Sequence, residues 1–179
     1  MITLNVWLPQ RGNVGHASAF IDQAGNNDGY VSWWPQGDWK KNRPGAANPG
    51  FGDDVAAEAR QPDRVRLIGN LNEQAGLNWW TSFRGDRRSV YQAWTQNCSW
   101  AVITMLKAAG GDSKISWTGF TTKYNMSWQA LSGTATVASL ARGLAGDMTD
   151  KMDYIDNHTL IWTPADCLRY ADAVVAGGM

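Results

Sequence analysis

The sequence predicts a small α+β domain, with an antiparallel sheet near the N-terminus packed on a central helix that begins at Cys98 and further helices around it. Three observations predict it. Residues 2–35 alternate apolar and polar positions around turns rich in Gly, Asn and Asp. Residues 98–109 are apolar on almost every face and stop at a glycine pair. Residues 163–176 carry the signals of a helix start.

Taken in order, residues 2–8 (Ile-Thr-Leu-Asn-Val-Trp-Leu) read as a strand, and Pro9 to Gly15 as a turn. Residues 15–22 read as a second strand, Gln23 to Gly29 as a hairpin loop, and Tyr30-Val-Ser-Trp-Trp34 as the returning strand, ended by Pro35. Residues 36–53 hold Pro44, Pro49 and four glycines, which predicts an irregular loop. A short helix is expected over Asp54 to Arg60 and a strand over Arg64 to Ile68. A helix over 71–83 is weakened by Gly76, and Val90 to Trp94 reads as a strand.

The clearest helix follows. Cys98, Ala101, Val102, Met105, Leu106 and Ala109 share one face, and Trp100 and Ile103 make the rest apolar, so the helix is expected at the centre of the core. Gly110-Gly111 supplies its stop. Residues 112–133 read as an irregular connection and 134–145 as a helix with Gly143 weakening its end. The last helix has Thr163 as cap, Pro164 in its first turn and Asp166 where a capping box puts an acid. No repeat, low-complexity segment or linker interrupts the 179 residues, so one domain over 1–179 is expected.

Bulk properties narrow the function. Sixteen basic and sixteen acidic side chains balance, and no basic block stands out, which disfavours a nucleic-acid partner. No run approaches the roughly 20 apolar residues of a membrane helix. The N-terminus lacks a basic, then apolar, leader, so synthesis in the cytoplasm without a signal peptide is expected. Eleven tryptophans, among them the pairs Trp33-Trp34 and Trp79-Trp80, fit either an aromatic core or a cleft that stacks on a flat or sugar-like ligand.

Two cysteines and two histidines carry the candidate chemistry. A thiol is nucleophilic as thiolate, and its free pKa of about 8.5 falls at a helix N-terminus or beside an imidazole. Cys98 heads the central helix. Gln96, Asn97 and the Cys98 backbone N–H are candidate oxyanion donors. His16, on the second strand with Ser18 and Phe20 on its face, is the candidate base. Either residue alone has a plainer reading, as a core histidine or a small buried hydrophobe.

Gly15-His16-Ala17-Ser18 with the returning segment Tyr30–Pro35, then Asn97-Cys98-Ser99 heading an apolar helix, resembles the circularly permuted papain-like cysteine hydrolases. That superfamily includes lecithin retinol acyltransferase-like enzymes and bacterial amidases and peptidases. The resemblance covers residues 2–35, 90–110 and 160–176. It implies attack by Cys98 on an amide, ester or thioester carbonyl, an acyl-enzyme, and no cofactor. A third polar residue orients the imidazole in such enzymes. Ser32, Asp28, Asp22 and Gln36 are available here, with Ser32 favoured because it lies in the returning strand. Trp33 and Trp34 would line the substrate site. Peptide, peptidoglycan or protein substrates follow, as does a toxin-like effector exported by a contact-dependent route such as type VI secretion, with a cognate immunity or adaptor protein.

Three rivals stand beside this reading. A metal site from His16, Cys98, His158 and Cys167 lacks close ligand spacing. A Cys167–His158 pair places its cysteine inside a helix rather than at its head. A non-enzymatic module would use Trp33, Trp34, Trp79 and Trp80 as a platform for a glycan or a protein.

Overall fold

The computed structural model describes residues 1–10, 13–37, 43–86, 89–92, 96–115 and 162–178. They belong to one compact unit, Met1–Ile115 with Trp162–Met179. The helix expected over 134–145, and His158, lie outside the described residues. The described part is α+β, with two small antiparallel sheets and four α-helices.

The first sheet is built from β1 (Ile2–Trp7), β2 (His16–Ile21), β3 (Tyr30–Val31) and β6 (Arg64–Ile68) in the order β3-β2-β1-β6. The register Ile2↔Ile21, Leu4↔Ala19, Val6↔Ala17 and Ile2↔Ile68 puts these apolar side chains on one face. Helices α3 (Cys98–Ala108) and α4 (Pro164–Gly177) cover the sheet. The opposite positions, Trp7, His16 and Ser18, are buried as well, although two of them are polar. That second face therefore needs internal hydrogen-bond partners.

Helix α3 is the centre of the core, as its all-round apolarity predicts. Ala101, Val102, Ile103, Met105 and Leu106 are completely buried. Each of the larger three contributes about 1.5–3 kcal/mol by leaving water. Gly110, with φ +92°, ends the helix in the left-handed conformation glycine allows. Helix α2 (Glu73–Gly85) is stronger than Gly76 suggests, because that glycine lets it approach α3. A Cβ at Gly76 would lie 3.2 Å from Met105 Sδ and 3.4 Å from Ala109 Cβ. Helix α4 carries the full capping box between Thr163 and Asp166.

Two expectations need correction. Tyr30 to Trp34 is not one strand. The chain leaves the first sheet at Ser32, and β4 (Trp33–Pro35) joins a second sheet of order β4-β5-β7. The loop expected over 36–53 contains β5 (Arg43–Ala47), which pairs with β4 on one side and with β7 (Val90–Tyr91) on the other. Pro44-Gly45 resembles a turn, yet Gly45 is needed inside the strand because the Trp33 ring lies against it. A Cβ there would fall 2.0 Å from Trp33 Cζ2. The helix expected to begin at Asp54 begins three residues earlier, as α1 (Phe51–Glu58).

Candidate active site

The site starts from Gly15. Its φ is +79°, and a Cβ would sit 2.4 Å from the Trp7 carbonyl oxygen, so only glycine turns the chain into β2 here. That turn makes His16 the first residue of β2, where it is 2 % exposed. The break at Ser32 and the early start of α1 bring two further groups to it. His16 Nε2 lies 3.1 Å from Asp54 Oδ2 and 3.1 Å from Ser32 Oγ.

Asp54, in the first turn of α1, is completely buried. Besides His16, four groups donate to its carboxylate. Tyr30 OH reaches Oδ2 at 2.6 Å, while Ser32 Oγ at 2.9 Å, Trp34 Nε1 at 2.8 Å and Asn48 Nδ2 at 2.6 Å reach Oδ1. Burial alone would raise the pKa of this carboxyl. The hydrogen bond and charge of His16, with the bonds from Tyr30 and Asn48, outweigh burial and hold it well below the usual carboxylate range. Asp54 is therefore an anion that fixes the imidazole.

Nε2 is committed to Asp54 and Ser32. The His16 imidazole and the Cys98 thiol are close enough to shift each other's proton affinity. Burial lowers the proton affinity of His16, but the Cys98 charge and the hydrogen bonds to Asp54 and Cys98 prevail, raising its pKa to about 10. Burial likewise opposes ionisation of Cys98. The His16 charge and hydrogen bond, the Ala17 N–H and the Ser99 hydroxyl outweigh it and lower the thiol pKa. Cys98 also occupies the first position of α3, where the helix dipole favours an anion. The two shifts both run toward an imidazolium beside a thiolate.

Trp34 completes the surround. It is half-buried and stacks on His16, with ring centroids 4.4 Å apart and planes 25° from parallel. Burial, together with the nearby Cys98 charge, holds the Tyr91 phenol proton far above the usual range.

The structure thus brings Cys98, His16, Ser32 and Trp34 together. Asn97 does not act as a free oxyanion donor. It caps α3, with Oδ1 accepting from Trp100 N–H at 2.8 Å and Nδ2 donating to the Trp162 carbonyl at 2.9 Å. Gln96 is half-exposed and pairs through its backbone with Gln92. Trp33 does not line the site. It is 2 % exposed, in an aromatic cluster with Trp80 at 6.3 Å and Phe83 at 4.7 Å. A platform of four tryptophans is not formed, because Trp33 and Trp80 are core and Trp34 covers His16.

Asp28 pairs with Arg84 on the surface at 2.8 Å, and Asp54 takes the orienting position instead. Sequence reasoning missed Asp54, Tyr30, Asn48 and Tyr91. An acid pair, Asp53-Asp54, just after a Pro- and Gly-rich segment at a helix start was the available signal. Cys167 is a packing residue. It is completely buried, donates to the Ser99 carbonyl at 3.4 Å, and has its thiol pKa raised by burial. Both cysteines are free. Among the described residues no group of three or more metal-ligating side chains gathers, and no helix is long and apolar enough to cross a membrane.

Residues 44–130 match the sequence model of the IcsB middle domain, just under half of the chain. The matched stretch contains Asp54, Tyr91 and Cys98, while His16 and Ser32 precede it. Comparison with curated proteins and with solved structures returned no match.

Proposed function

We propose that this protein is a cysteine-dependent enzyme of acyl chemistry, which cleaves an amide, ester or thioester through an acyl-enzyme on Cys98. The observation that carries this reading is the chain of contacts Cys98–His16–Asp54. A thiol at a helix N-terminus lies close enough to an imidazole for each to shift the other's proton affinity, and a buried carboxylate holds that imidazole through Nε2. A core cysteine has no need of such partners, and burying the carboxylate costs several kcal/mol that its five donors offset.

The roles follow from the geometry. The Cys98 thiolate attacks the carbonyl carbon. His16, already protonated, gives its Nδ1 proton to the leaving group and then takes one from the incoming water or other acceptor. Asp54 holds the imidazole in its orientation and stabilises its charge. Ser32 and Trp34 position the pair rather than react. The chain order histidine, carboxylate, cysteine agrees with a permuted papain-like arrangement.

A peptide, peptidoglycan or protein substrate, and a role as an exported effector with a cognate immunity or adaptor protein, remain part of this proposal. The test is a burst assay with p-nitrophenyl acetate and mass spectrometry of the trapped protein. One acetyl group on Cys98, lost in Cys98→Ala and strongly slowed in His16→Ala, is expected. An unmodified Cys98 alongside full activity of Cys98→Ala would overturn the reading.

A further inference from the structure

Helix α1 carries two buried acids, Asp54 and Glu58, about one turn apart on one face. Asp54 holds the His16 ring. Glu58, 6 % exposed, reaches a different part of the same structure. Its Oε2 accepts from Asn13 Nδ2 at 2.7 Å, with Arg60 Nη2 farther off at 3.9 Å. Asn13 Oδ1 in turn accepts from the Gly15 N–H at 2.7 Å. Gly15 is the left-handed residue that turns the chain into β2, and His16 follows it. The Asn13 backbone is fixed separately, by paired hydrogen bonds with Gln10 at 2.9 and 3.0 Å. Just beyond the helix, the Arg60 carbonyl accepts from Trp7 Nε1 at 2.9 Å, and the Arg60 guanidinium donates to the Leu8 carbonyl at 2.6 Å. The end of α1 is thus tied to the chain before the turn, and Glu58 to the turn itself.

Building on the acyl-enzyme reading above, we propose that Glu58 and Asn13 are positioning residues for the base, a relay that sets the His16 backbone while Asp54 sets its ring. Two attachments to one helix face define the imidazole better than one. The bond from Nε2 to Asp54 alone leaves the ring free to follow any shift of the Gly15 turn. Gly15, at φ +79°, has no side chain to hold that turn, so its N–H supplies the restraint. Asparagine suits the relay because its amide presents an acceptor and a donor at once, here toward Gly15 and toward Glu58. An ionised carboxylate only accepts, so Glu58 fixes which way round the Asn13 amide lies. A bond to a charged acceptor is also stronger than one between neutral groups. Glu58 acts through Asn13 and Gly15, and takes no part in the chemistry at Cys98.

The experiment exchanges donor and acceptor in the full chain. It reads His16 directly, by NMR titration of the labelled imidazole, beside acylation by p-nitrophenyl acetate and urea denaturation. Asn13→Ala removes both bonds and adds no charge. The His16 midpoint should fall as its bond to Asp54 loosens, and acylation should drop at least about tenfold. Asn13→Asp keeps an acceptor for Gly15 but sets a second carboxylate against Glu58, and should also slow acylation. Adding Glu58→Gln to Asn13→Asp restores the relay in reverse, because the glutamine amide donates to the introduced carboxylate. That double variant should recover acylation to within about threefold of the wild type. An Asn13→Ala variant that loses stability, yet keeps the wild-type titration and acylation rate, would reduce the pair to packing and overturn the proposal. A double variant no faster than Asn13→Asp would overturn it too. If the wild type forms no acyl-enzyme, the acyl reading falls alone, and an unshifted His16 midpoint in Asn13→Ala would then overturn the relay as well.

Discussion

Trp34 lies face to face with His16, 4.4 Å between ring centroids, while its indole N–H reaches Asp54 Oδ1 at 2.8 Å. One side chain thus supports both the imidazole and its carboxylate. An aromatic face favours a cation, so the stack stabilises the imidazolium form of His16. Trp34→Phe keeps a ring over His16 and removes the donor to Asp54. Trp34→Leu removes both. The His16 pKa should fall from about 10 in both variants, further in the leucine variant, as read by NMR titration of the labelled imidazole. The leucine variant should also lose about 1–3 kcal/mol of stability by leaving a gap at a half-buried site. An unchanged His16 titration in Trp34→Leu would show that the stack is packing only.

The charged pair has a pH window that can be read from both sides. Cys98, with its pKa lowered from 9.0, contributes stability that is present above that value and lost as pH falls through the lowered one. His16, raised from 6.5 to about 10, contributes stability that is complete below 6.5 and lost as pH rises through about 10. The thiolate–imidazolium pair therefore persists between the lowered thiol value and about 10. Alkylation by iodoacetamide should rise along an acid limb below the ordinary thiol range and stay high above it. Turnover of a substrate with a poor leaving group should fall again near pH 10, where His16 loses the proton it donates. His16→Ala should move the alkylation limb upward, because burial then acts on the thiol without an opposing charge. An alkylation limb at the ordinary thiol value in the wild type would contradict the pair.

Asp54 is the anion on which both arms depend. Asp54→Ala leaves the charge of His16 without its buried partner and strands the Tyr30, Trp34 and Asn48 donors, so a loss of about 3–5 kcal/mol is expected in urea denaturation. Asp54→Asn keeps the volume and loses the charge. It should fold better than the alanine variant, yet lower acylation by at least about 10²-fold through loss of the imidazole's orientation and charge. The Asp54 pKa is lowered in the folded state, so its contribution is present above the ordinary value of 3.8 and is lost as pH falls below it. The stability gap between wild type and Asp54→Asn should narrow over that acid range. A gap independent of pH would mean that Asp54 is neutral in the folded protein.

The fold's local signals were legible because they obey short-range rules. The β1–β2 alternation, the apolar all-round pattern of α3 and the Thr163–Asp166 capping box each depend on a few neighbouring residues. Cys98 and His16 were legible for a related reason, since one heads the clearest helix and the other begins a strand after a required glycine. Asp54 was not. Its role exists only because the chain breaks at Ser32, doubles back through β5, and returns α1 to the polar face of β2. β5 itself was masked by Pro44-Gly45, a pair that spells a turn locally and a strand only once the Trp33 ring is known to cover it. Ser32 was found for its place in the returning segment. What holds it is different: it sits where that segment leaves the sheet, and its hydroxyl links Asp54 to His16.

Gly15 and Gly110 offer a paired test of how backbone geometry positions the nucleophile's partner. Both have positive φ, +79° and +92°. At Gly110 a Cβ meets nothing within 4 Å, so Gly110→Ala should cost only the left-handed conformation, about 1–2 kcal/mol. At Gly15 the same atom would collide with the Trp7 carbonyl at 2.4 Å, and relief requires β1 and β2 to separate where Trp7 pairs with His16. Gly15→Ala should therefore lose more stability than Gly110→Ala in thermal or urea unfolding. It should also displace the imidazole from Cys98, raising the pH of half-maximal alkylation toward the ordinary thiol range. Gly110→Ala, at the far end of α3 from Cys98, should leave that midpoint in place. Equal alkylation midpoints in the two variants would mean that the Gly15 turn does not set the approach of His16 to the thiol.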